Sequence, residues 1–83
     1  MADKPYALLS AYLWDLRANA ESKLRCLTRL QQELARLEHA THPEHRAAAR
    51  LKIMADLNDI LTISQTLRSV SEEALAAAVK LPE

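Results

Sequence analysis

The chain has 83 residues, 49% of them hydrophobic, with no glycine and no phenylalanine, a composition that excludes a glycine-turned β fold and bounds it to one small helical domain. Eleven basic residues cancel eleven acidic ones, and the balance holds in each half, so the electrostatic footprint of a protein that binds nucleic acid or an anionic membrane is missing. A core this small is commonly completed by self-association or by a partner.

From the N-terminus, Asp3 can cap a first helix with Pro5 in its opening turn, and nothing breaks that helix before the histidine-rich stretch near residue 40. Helix 1 is therefore expected over residues 5–39, about 50 Å long at 1.5 Å per residue. Leu13, Leu16, Ala20, Lys23, Leu27, Leu30, Leu34 and Leu37 alternate steps of three and four, the pattern of a coiled-coil seam. Lys23 alone violates it, and its stem can snorkel outward. The pairs Glu21 with Arg25 and Arg29 with Glu33 read as solvated outer surface.

The first turns also bear on location. Tyr6 to Trp14 is apolar and Ala18-Asn19-Ala20 imitates a signal-peptidase site, but Asp15 and Arg17 intervene and Asp3 stands where a leader is positive, so no signal peptide is expected. No apolar run approaches the roughly 20 residues of a membrane span. Cys26 is the single cysteine, which excludes an internal disulfide and points to a reducing compartment. At the margin of the leucine seam it reads as a small buried hydrophobe.

The hinge is His39 to His45, reading His-Ala-Thr-His-Pro-Glu-His. Pro43 disfavours helix in the residue before it, so helix 1 ends here. Thr41 and Glu44 have capping-box spacing, with Pro43 in the first turn of the next helix. So short a connection, placed at 39–43, makes the two helices antiparallel neighbours.

Helix 2 is expected over 43–68, with Ile53, Met54, Leu57, Ile60, Leu61, Ser64 and Leu67 on one arc, wider than a two-helix seam requires. Leu51 and Ile63 project outside it, so this helix has apolar surface for more than one neighbour. Asp56, Asn58, Asp59, Thr62, Gln65 and Thr66 form the wet side. Beyond Leu67 the pattern falters at Arg68-Ser69-Val70-Ser71, and Ser69 with Glu72 repeats the capping spacing. A short third helix over 70–80 is expected, although helix 2 running on would use the same residues. The fold class is all-α: an antiparallel, coiled-coil-like hairpin with a short C-terminal helix, in one domain.

No constellation of catalytic residues is present. His39, His42 and His45 recur every three residues, but proline disrupts their alignment and Cys26 lies about 20 Å up helix 1, so no metal or cofactor is expected. A nucleophile, base and orienter require a cleft that a hairpin lacks, so enzyme activity is not expected. Arg25, Arg29 and Arg36 share one side of helix 1, yet Glu21 and Glu33 interrupt it and no aromatic residue alternates with them to stack on bases. Trp14 lies about 100° from Leu13, off the stripe. Cover by the third helix is the first expectation for it, and a role as binding anchor the second.

The run Leu30-Gln31-Gln32-Glu33-Leu34, a proline turn and a second helix carrying Asp59-Ile60-Leu61-Thr62-Ile63 resemble the small co-chaperones of needle subunits in bacterial type III secretion, over residues 20–70. The resemblance implies a cytoplasmic protein that pairs with a larger helical-repeat chaperone and keeps a needle subunit from polymerising. It places partner contacts at Leu57, Ile60, Ile63 and Leu67, with Leu27 and Leu30 opposite. A phage or plasmid regulator that blocks a host protein is an alternative. A homodimeric four-helix bundle, with or without RNA, is another.

Overall fold

The computed structural model describes residues 4–82. It contains two helices, α1 (Lys4–His39) and α2 (Pro43–Val79), packed antiparallel into a rod of 63 × 15 × 15 Å. No strand occurs among the described residues. The expected cap by Asp3 lies outside them.

Helix 1 ends where the proline rule places it, and Ala40 N–H closes the last turn onto the Leu37 carbonyl. The start of α2 differs from the capping box. Its N-cap is His42, with extended backbone and no side-chain hydrogen bond, and Pro43 is the first helical residue. Once Pro43 occupies that position, the cap is the residue before it, which leaves Thr41 one position too early to reach the free amides. Two outcomes are expected in urea denaturation at fixed protein concentration. Thr41→Ala should leave the midpoint essentially unchanged, while His42→Asp, which supplies the missing acceptor, should stabilise the hairpin by about 1 kcal/mol.

The third helix expected over 70–80 is not formed, and α2 runs on to Val79. Ser69 can cap only if its own backbone leaves the helical region, and no proline or glycine forces that. The alanine-rich stretch favours helix, and the contact stripe of α2 continues unbroken through Leu67, Val70, Ala74 and Ala77. That continuity rewards a straight helix over a new start.

The contact between the helices follows a different register from the leucine seam. In α1 the inward stripe runs through Pro5, Leu9, Tyr12, Leu16, Asn19, Lys23, Cys26, Leu30, Glu33 and Leu37, all buried or half-buried. Leu16, Lys23, Leu30 and Leu37 belong to both stripes. The alternate positions differ by one residue, so Leu13, Leu27 and Leu34 are left exposed. In α2 the inward stripe is Ala49, Ile53, Asp56, Ile60, Ile63, Leu67, Val70, Ala74 and Ala77. Its alanines bring the backbones close, and two helices touching along one line cover only a narrow arc of each. Consequently no side chain among the described residues is fully enclosed, and the buried apolar residues are Cys26, Ala49, Ala74 and Ala77.

Candidate protein-binding face

The two long sides of the rod are chemically unlike. One is charged. Glu33, expected on the solvated surface, is 6% exposed and its Oε1 is held by Arg36 at 2.8 Å and by Lys52 of the other helix at 3.4 Å. Asp56, also expected on the wet side, is buried to the same degree. Its Oδ1 lies 3.7 Å from Arg29 Nη2, and its Oδ2 is buried with no hydrogen-bond partner. Arg29 also donates to Cys26 Sγ at 3.1 Å. Two of the three arginines on this side therefore face carboxylates of the hairpin itself.

Spacing held a signal for both buried carboxylates. Glu33 stands three residues after Leu30 and four before Leu37, and Asp56 stands likewise between Ile53 and Ile60. The stripe through them is as regular as the leucine stripe but less apolar, and apolarity decided the expected register.

The opposite side carries an open groove between the helices, lined by Leu24, Leu27, Leu30, Leu34, Ile53 and Leu57 with Thr28 and Gln31 at its edge. Helical spacing continues it through Leu13 on α1 and Met54 and Leu61 on α2, all exposed. A contiguous apolar surface on both helices is the usual mark of an interaction site.

Of the residues expected to meet a partner, Leu27 and Leu57 stand on this face. Leu30 is half-buried where the groove meets the seam, while Ile60, Ile63 and Leu67 are half-buried within the seam. Ile63, placed by periodicity outside the α2 arc, instead faces α1. Trp14 is 68% exposed, with the Arg17 guanidinium 5.8 Å from its ring centroid; among the described residues no third helix covers it. Leu24, Leu34 and Leu61 also belong to the face, beyond the contacts the sequence predicts.

At the hinge, His42 and His45 approach with ring centroids 5.4 Å apart. A second open groove beside them is lined by Glu33, Arg36, His39, His45 and Lys52. Among the described residues no group of three potential ligands is placed to hold a metal ion, and no helix is long and apolar enough to cross a membrane. Comparison of the chain with protein-family models, with curated proteins and with solved structures gives no match.

Proposed function

We propose that this chain is a non-enzymatic protein-binding module, a co-chaperone or adaptor that pairs with a larger helical partner by laying its leucine face against apolar helices. The observation that carries this reading is the groove from Leu24 to Leu57, where large aliphatic side chains of both helices stand in solvent on one side. Helix-in-groove recognition uses such a surface, with anchors at successive turns. The resemblance to type III secretion co-chaperones gives the partner its class: a cytoplasmic helical-repeat chaperone, together with the needle subunit that the pair would shield. Leu27 and Leu57 are the central anchors, Leu30 lies at the floor of the groove, and Trp14 is a further exposed anchor near the open end.

Co-expression with a helical-repeat needle chaperone and its needle subunit tests the reading. A stoichiometric complex should elute together, and Leu27→Glu combined with Leu57→Glu should weaken it at least tenfold, since a charge buried against apolar helices is costly. Separate elution of the three wild-type chains would reject the secretion assignment.

A further inference from the structure

We propose that, when no other partner is bound, the leucine face is closed by a second copy of this chain, giving a four-helix bundle. The proposal deepens the adaptor reading by stating what occupies the same face in its absence, and it rests on that reading only for the role of the freed face. The hairpin has surface to bury. The hairpin exposes 6670 Å², whereas a folded monomer of 9.3 kDa exposes about 5,000 Å². The excess, about 1,700 Å² per chain, is the surface that a rod of 63 × 15 × 15 Å leaves uncovered, and it is more than the roughly 800 Å² one partner contributes to a standard interface.

Its apolar arcs also share a direction. In each helix the arc of large aliphatic side chains is rotated by roughly 50° from the line to the other helix, and both arcs turn toward the groove. In a square bundle of four helices the common axis lies about 45° from the line joining neighbours, so both arcs aim where such an axis runs. The face is also self-complementary. The apolar positions straddle the middle of the rod, so a twofold axis there brings Leu57 of one copy beside Leu61 of the other and Leu13 beside Leu34, and Arg46 comes to the level of Glu72. The net charge is zero, so two copies meet without net repulsion.

Sedimentation of the purified full chain at micromolar concentration, with no other protein present, reads the outcome. The expected result is a single species of twice 9.3 kDa. Leu27→Glu with Leu57→Glu should shift it to the single-chain mass, or to an unfolded chain by circular dichroism, while Ala55→Glu, on the outer surface, should leave it dimeric. A wild-type chain that sediments at the single-chain mass overturns the proposal, and if it still joins a partner complex the adaptor reading survives alone. A dimer dissociated by Ala55→Glu but not by the leucine-face variant overturns it as well, because the copies then meet through another surface. A leucine-face dimer that no needle chaperone joins supports the self-pairing and rejects the secretion partner.

Discussion

Val70→Pro should destabilise the hairpin by about 3 kcal/mol or more, measured as a fall in the urea midpoint at fixed protein concentration. Val70 lies inside α2, which runs unbroken from Pro43 to Val79, so proline there removes an i to i−4 hydrogen bond and drives its ring against the preceding turn. The variant discriminates sharply between the two ways of reading Ser69-Val70-Ser71-Glu72. Were Ser69 the cap of a separate helix, Val70 would be its first residue, the one helical position where proline is tolerated. Val70→Ala measures the loss from the half-buried side chain alone. A proline variant no less stable than the alanine variant would mean that α2 ends before Ser69.

Asp56→Leu should raise stability by about 1–3 kcal/mol. Asp56 sits in the contact stripe opposite α1, with one carboxylate oxygen 3.7 Å from Arg29 and the other buried without a partner. An unsatisfied buried oxygen carries its full desolvation cost, and a long contact to an arginine that is half in water offsets little of it. Leucine removes that cost and extends the apolar run of Ile53 and Ile60. Asp56→Asn should recover only part of the gain, since the amide is still polar. Arg29→Ala should lower stability by no more than about 1 kcal/mol, less than for a fully buried pair because Arg29 is half exposed. A fall in stability for Asp56→Leu would show that the carboxylate is held by contacts stronger than these.

Such a residue also has a structural consequence. The inward stripe of α1 carries Asn19, Lys23 and Glu33 among its apolar members, and that of α2 carries Asp56. Polar groups at contact positions cost stability but distinguish one register from its neighbours, as a buried asparagine does in a coiled coil. Glu33 with Lys52 at 3.4 Å and Arg29 with Asp56 at 3.7 Å both join the helices, and sliding α2 by a turn would separate the members of each pair. The hairpin register is thus pinned by charge near the hinge, while aliphatic bulk is kept for the outer groove.

Local chemistry settled much of this protein from its residues alone. The absence of glycine and the position of Pro43 dictate two long helices and one tight antiparallel turn, because each is a property of a few adjacent residues. That the apolar surface of helix 2 exceeds what one neighbour can cover was also legible, since arc width follows from spacing. The choice of which arc is covered belonged to the tertiary structure. Leu13, Leu27 and Leu34 form a better stripe than Tyr12, Asn19, Cys26 and Glu33, but helical spacing allows both, differing by one residue at alternate positions. The same limit hid Asp56, which is polar by type and inward by position. Close approach of α1 to the alanines at 49, 74 and 77 selects the second stripe and leaves the leucines outside. A periodic sequence specifies how wide its apolar surface is, and only the packing of one helix on another decides which part of that surface remains for a partner.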